Sequence, residues 1–350
     1  MEMKTKCKHP ALGWSIVLCS ITLMACQVLA SSAFAVENGG YPRSDFLVST
    51  QWLQDHLNDP NVRIIDRQDT LPDEDLFAKG HIPNALRMTT DAVKGTKLGI
   101  PEMLIAKNFI DYLESHGISS DHHVVIVAPC SKLQAATRVF WALELFGHTK
   151  VSLLDGGTDK WLAEKRPWTT DVKSYPKTSY KVDLQRQRLL TGEELFGWLG
   201  LFKQLDIVLI DARKADEYAG QKMSRASEKL GRIPGAVSLP FDRLLVGDSY
   251  KEFKTANEIK QAFDSVGAAP AKNVFFSCVS GCAASVDYFA ARLLGFPKAA
   301  VYDGSWIEWS RKDYPVEAGD QAGTKGSGDK EKAPKAKSPA KKPELPRTGC

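Results

Sequence analysis

No Cys-x-x-Cys pair occurs in this sequence, and no cysteine–histidine spacing of the kind that holds zinc. Seven cysteines stand in 350 residues, too few and too scattered for a disulfide scaffold. Three of them (Cys7, Cys19, Cys26) fall within the first 35 residues. Hydrolysis of a phosphate ester by a loop cysteine needs an arginine six residues on. That arginine is missing too, because Ala284 stands there after Cys278 and Ala136 after Cys130. A basic excess is missing from the body of the chain. The net +4 is made of +2 in residues 1–35 and +5 in 321–350, which leaves −3 in 36–320. Nucleic acid is therefore not an expected partner. What remains is ordinary soluble composition, 43% hydrophobic and 25% charged, in a chain long enough for two domains.

The long uncharged apolar run is Trp14 to Ala30. Three lysines precede it, and Ser31-Ser32-Ala33-Phe34-Ala35 comes next with small residues at both positions of an A-x-A site. Residues 1–35 read as a secretory signal cleaved after Ala35. Leu23-Met24-Ala25-Cys26 resembles a bacterial lipobox, which would make Cys26 a lipidated N-terminus. The segment is also about long enough to stay as an uncleaved anchor. All three readings export the domains to the periplasm or cell envelope, with membrane contact expected only through a lipidated Cys26. From Ala318 the chain turns to Gly, Lys, Pro, Ala and Ser without apolar period, so 318–350 is expected to be a disordered basic tail.

Between these ends the sequence repeats itself. A shift of 148 residues lays Cys130 on Cys278, Gly147 on Gly295, Asp155-Gly156 on Asp303-Gly304, Trp161 on Trp309 and Pro167 on Pro315. Gly80-His81-Ile82-Pro83 matches Gly231-Arg232-Ile233-Pro234 at a shift of 151. Changes of shift fall where loops differ in length. Domains are expected over 41–168 and 190–317, joined by a linker over 169–189.

In both copies short apolar runs alternate with helical patterns. Val62–Asp66, Val124–Val127, Val151–Leu154, Ile207–Ile210 and Ala299–Tyr302 read as buried strands, and Pro101–Gly117 and Ala135–Phe146 as helices. Such alternation implies an α/β fold, a mainly parallel sheet with helices on both faces. The stretch Ser277 to Ala284 then places Cys278 in a tight turn between a strand and a helix. That turn points backbone N–H groups and a positive helix end at one sulfur, a setting that favours thiolate, the nucleophile. The plainer reading is a small buried cysteine in a core turn.

Ala299-Ala300-Val301-Tyr302-Asp303-Gly304-Ser305-Trp306-Ile307-Glu308-Trp309 resembles the C-terminal signature of the rhodanese-type sulfurtransferases. Asp211-Ala212-Arg213, Glu217-Tyr218 and Gly231 to Ala236 resemble that family's earlier blocks, and the likeness runs over roughly 45–317. It implies two tandem rhodanese-like domains, with the active site in the second and no cofactor or metal. It also implies an activity: a small anionic donor, thiosulfate or 3-mercaptopyruvate, gives its sulfane sulfur to a cysteine, and a thiol or cyanide accepts it from the persulfide. The nucleophile would be Cys278, cradled by backbone donors from Val279, Ser280, Gly281, Cys282, Ala283 and Ala284. Arg213 would hold the donor's oxygens, against a surface ion pair with Asp216 or Glu217.

The Cys278 loop departs from both common patterns. Thiosulfate-type loops carry basic residues after the cysteine, and this loop has none. Mercaptopyruvate-type loops read Cys-Gly-Ser/Thr-Gly-Val-Thr, of which only Ser280 and Gly281 are shared after the cysteine. Ser280 is a candidate proton relay or oxyanion donor, or simply a turn residue. Cys282 is a candidate resolving thiol or a small packed side chain. Cys130 is a candidate second reactive thiol, with Lys132 and Arg138 for charge and with Leu133 where the second loop has Gly281. His81 and Asp66 are candidates for acid–base assistance in a cleft between domains. A rival to the enzyme is a non-catalytic sulfur- or chalcogen-binding module serving an envelope redox partner. A thiol redox protein using Cys278 and Cys282 is a third reading.

Overall fold

A computed structural model of the protein describes residues 39–68 and 75–319. The segment read as a signal, with Cys26, and the residues from 320 on, with Cys350, lie outside the described residues. The first domain holds strands β1 (Leu47–Val48), β2 (Val62–Asp66), β3 (Ala85–Arg87), β4 (His123–Val127) and β5 (Val151–Leu154). They form a sheet of order β1-β5-β4-β2-β3, and each pair is parallel. The second holds β6 (Leu189–Leu190), β7 (Ile207–Asp211), β8 (Val237–Ser238), β9 (Asn273–Ser277) and β10 (Ala299–Tyr302). Its order is β6-β10-β9-β7-β8, also parallel. The sequence repeat is thus a repeat of topology. The principal helices are α1 (Ala106–Ser115), α2 (Leu133–Leu145) and α3 (Gly157–Ala163) in the first domain, and α4 (Ala256–Ser265), α5 (Cys282–Leu293) and α6 (Ser305–Arg311) in the second.

Helices α2 and α5 are apolar nearly all round because each lies between its own sheet and its counterpart. One apolar cluster runs through both, from Ile126 and Phe140 to Phe276 and Phe289, with the Phe140 and Phe289 rings edge to face. Equivalent residues meet across this contact. Thr137 and Ser285 share a hydrogen bond at 2.8 Å, and Glu144 pairs with Arg292 at 2.9 Å. Both pairs are separated by the 148 residues of the repeat, so the domains face each other across a pseudo-twofold axis. Equivalent residues also do equivalent structural work outside the contact. The Trp161 and Trp309 indoles donate to the carbonyls of Pro167 and Pro315, both at 2.8 Å.

Pro101 to Gly117 is not one helix. Ile100–Leu104 is one arm of an antiparallel hairpin with Lys94–Lys97, and α1 begins only at Ala106. The Leu104 N–H is taken by the Asp303 carboxylate of the second domain at 3.0 Å, and Glu102 has φ +64. The positive φ of Glu102 is not compatible with a helix there. The second domain carries the matching hairpin, Leu245–Val246 with Glu252–Phe253. The segment between domains is extended and runs along the first one: Thr178 N–H bonds Glu114 O at 3.0 Å, and Asp183 N–H bonds Phe146 O at 3.1 Å.

Candidate active site

Strand β9 ends at Ser277, and Cys278 comes next with 2% of its surface exposed. Its N–H donates to Ser305 Oγ at 3.2 Å. The N–H groups of Trp306 and Ile307 hold the Cys278 and Val279 carbonyls, both at 3.0 Å. Gly281 then turns the chain into α5 at φ +77. A Cβ there would lie 2.1 Å from Arg138 Nη1, so both backbone conformation and space demand glycine. Of the six expected backbone donors, Ser280 and Ala284 have N–H groups facing the Cys278 sulfur. Cys278, Val279, Ser280, Cys282 and Ala283 line a cavity of about 450 Å3.

The expectation of a favoured thiolate does not hold for the unliganded site. Burial pushes the Cys278 thiol up, and the neighbouring Cys282 sulfur adds to this. The two backbone N–H groups oppose the shift without cancelling it.

Arg213 reaches the cavity wall but its guanidinium is already committed. It grips Asp211 through Nε (3.0 Å) and Nη2 (2.6 Å), and donates to Ser224 Oγ (3.1 Å) and Gly231 O (2.9 Å). It stacks over Trp306 with its carbon centre 4.7 Å from the ring. Neither Asp216 nor Glu217 is its partner. Arg213 is therefore a buried brace in the cavity wall, and the exposed cation is Arg225, half out in solvent on the same cavity. Arg225 donates to Ser280 Oγ at 3.0 Å and forks onto Glu102 of the first domain's hairpin. Ser280 is thus held by a charged pair and does not merely satisfy its turn. Lys94, from the same hairpin, pairs with Glu102 at 3.1 Å and faces the Cys282 thiol. Burial alone would raise the Glu102 carboxyl, but Arg225, Lys94 and Ser280 outweigh it and hold it at about 2.

Arg138 also serves the second domain. It leaves α2, passes under Gly281 and forms a buried ion pair with Asp303, with 1% of its side chain exposed. It therefore gives Cys130 no charge. Cys130 itself is blocked. Its loop winds straight into a short 3-10 helix, Cys130–Lys132, that runs into α2 at Leu133. The Lys251 N–H of the second domain's hairpin donates to its sulfur at 2.9 Å, and the void beside it is about 10 Å3, barely one water. Burial raises its thiol to about 12. His81 is fully buried, stacked on Phe77 and bonded to the carbonyls of Phe77 and Asp171. Asp66 is buried with Gln68 on its carboxylate. Both are packing groups of the first domain rather than lining of the cavity. Among the described residues no cluster of three or more His, Cys, Asp and Glu could hold a metal.

Reading the loop alone missed Arg225, Lys94, Glu102 and Ser305. Three of them come from elements distant in sequence. Ser305 carried a signal, since the repeat puts Gly157 at its place in the first domain.

A rhodanese-like domain model matches residues 49–164 and again 199–312. The chain belongs to the rhodanese family. It is 31% identical to the sulfur carrier protein TtuD of Thermus thermophilus over 280 residues, 77% of this chain and 95% of that one. It is also 31% identical to the thiosulfate sulfurtransferase of Gallus gallus, covering 77% and 94% of the two chains. The 3-mercaptopyruvate sulfurtransferase of Rattus norvegicus matches at 31% too, over 77% and 93%. These rhodanese relatives differ in the sulfur chemistry they are named for while sharing one level of identity, so the likeness selects a family and no donor.

Proposed function

We propose that this rhodanese-type sulfurtransferase works through a persulfide on Cys278, taking its sulfur from thiosulfate or 3-mercaptopyruvate. The observation that carries the reading is the contrast between the two loop thiols. Cys278 is buried but borders a 450 Å3 cavity with two backbone N–H groups on its sulfur, whereas Cys130, though less buried, borders only a void of about 10 Å3 and has the Lys251 N–H on its sulfur. An anionic donor brings its own charge to a cavity lined by Arg225, Lys214, Lys222 and the first residues of α5, and these stand in for the missing basic loop residues. Thiolate attack on the donor's outer sulfur forms an S–S bond. The bond to the rest of the donor breaks, and its electron pair leaves with sulfite or with the pyruvate enolate, which takes a proton. A thiol or cyanide then attacks the outer sulfur, and the Cys278 thiolate is the leaving group. Because burial holds the thiol up, loading should rise with pH through and beyond the ordinary thiol value of about 8.5.

Intact mass after incubation with each donor tests this. A gain of one sulfur atom that vanishes in Cys278→Ser and survives Cys130→Ser is expected. No gain with either donor in the wild-type chain would overturn it. A second reading is a sulfur carrier without turnover of free donors, in line with the name of the Thermus relative and with a loop lacking basic residues. Stoichiometric loading from a protein donor, without catalytic thiocyanate release, would favour it. We also propose export to the envelope, supported by the lysines, apolar run and A-x-A site of residues 1–35. N-terminal sequencing of the chain from the envelope fraction should begin at Val36, or at a lipidated Cys26. An intact Met1 in the cytoplasmic fraction would contradict it.

A further inference from the structure

Cys278 and Cys282 line the same cavity, but they are not equivalent. Cys278 is almost closed off, while Cys282 is partly open. The charges around the loop are arranged toward Cys282. Lys94 from the hairpin faces its sulfur. Arg138 from below and Arg225 from the mouth interact with both sulfurs, and more strongly with Cys282 than with Cys278. These three cations share two carboxylates, Glu102 and Asp303, so one positive charge at the loop has no carboxylate. Arg138 carries a further sign of an incomplete set: its Nε and Nη1 are buried with no hydrogen-bond partner, and Nη1 lies directly under Gly281. A buried guanidinium with unused donors is costly unless an anion is near. The first domain has nothing comparable, since the residue equivalent to Cys282 is Gln134.

We propose that Cys282 is a second sulfur site, a relay that receives the sulfane sulfur from Cys278 and offers it at the cavity mouth to thiol acceptors too large to reach Cys278. The step is redox-neutral. The Cys282 thiolate attacks the outer sulfur of the Cys278 persulfide, a new S–S bond forms on Cys282, the old one breaks, and its electron pair stays on Cys278 as thiolate. The persulfide anion on Cys282 then supplies the negative charge that the three cations lack. Lys94 and Arg138 come from the first domain, which gives that domain a part in the chemistry despite its blocked cysteine. The relay rests on the Cys278 persulfide reading.

The test loads the full-length chain with thiosulfate and, separately, with 3-mercaptopyruvate. Free and persulfidated thiols are then trapped by alkylation, and fragment ions that separate Cys278 from Cys282 locate the sulfur. Sulfur on both cysteines of the wild type is expected. Lys94→Gln, which keeps both thiols, should lower the Cys282 share. In Cys282→Ser the ratio of transfer to glutathione over transfer to cyanide should fall about tenfold or more. Sulfur confined to Cys278 in wild type and Lys94→Gln alike would overturn the relay and leave the Cys278 persulfide standing. An unchanged acceptor ratio in Cys282→Ser would do the same, as would a Cys278–Cys282 disulfide with released sulfide. Sulfur on neither cysteine would overturn the persulfide reading and the relay together.

Discussion

Cys130 and Cys278 occupy the same place in two copies of one fold, and only Cys278 borders a cavity with room for more than a water. The difference lies in the residues after each cysteine and in the groups that the other domain delivers. After Cys130, Leu133 continues as helix, with φ −51. After Cys278, Gly281 turns left-handed at φ +77 and leaves the loop open. Each domain also sends a hairpin to the other's loop. Across the pseudo-twofold axis, the second domain's hairpin puts a backbone N–H on the Cys130 sulfur, whereas the first domain's hairpin brings Glu102 and Lys94 beside the Cys278 loop. A duplicated fold thus keeps one pocket by plugging the other.

The same asymmetry runs through the aspartates of the two Asp-Gly pairs. Asp303 caps the Leu104 N–H and has Arg138 as counterion. Asp155 faces the equivalent Phe253 N–H, but α5 places Val286 where α2 has Arg138. Burial therefore lifts the Asp155 carboxyl to about 6, with Glu252 adding to the lift and Lys160 opposing it.

The comparison can be broken most severely at Asp303. Asp303→Asn strands the buried Arg138 charge and should cost about 3–5 kcal/mol, read by urea unfolding. A loss under about 1 kcal/mol would mean that the pair does not hold the domains' junction. Next comes the glycine. Gly281→Leu places a side chain at a positive φ and against Arg138, and should lower sulfur loading about a hundredfold by displacing the loop. The converse change, Leu133→Gly, should leave loading as in wild type, because Lys251 still covers Cys130. Loading that persists in Gly281→Leu would show that the open turn is not what makes the cavity. The smallest effect is expected at Asp155 and has the opposite sign to Asp303. The folded chain holds that proton more tightly than the unfolded one, whose carboxyl titrates at 3.8. The contribution of Asp155 to stability is thus greatest below that value and is lost as pH rises through about 6. Asp155→Asn should stabilise by about 1–3 kcal/mol at pH 7.5, with the gap closing by about pH 4. A Tm difference independent of pH would refute this.

The repeat, the parallel α/β order and Cys278 were legible because they rest on local periodicity and on residues set at one spacing. The hairpins were not. Pro101 to Gly117 reads as helix because the apolar spacing of α1 extends backward into Met103 and Leu104. Leu104 instead ends a hairpin arm paired with Lys94–Lys97, and its N–H meets Asp303, 199 residues away. The surroundings of Arg213, which lines the cavity, were hidden for a similar reason. A motif shows that an arginine is present, but only the packed structure shows that Asp211, Ser224 and Gly231 occupy it.

From the sequence alone came the two domains, their layered fold and the one loop built around Gly281, since backbone preference and hydrophobic period are properties of short stretches. Which thiol borders the large cavity, which cations meet it and which aspartate has a counterion were decided only by tertiary structure. Those outcomes depend on charges and hairpins that each domain lends to the other, and the contacts that bring them together join residues more than a hundred positions apart.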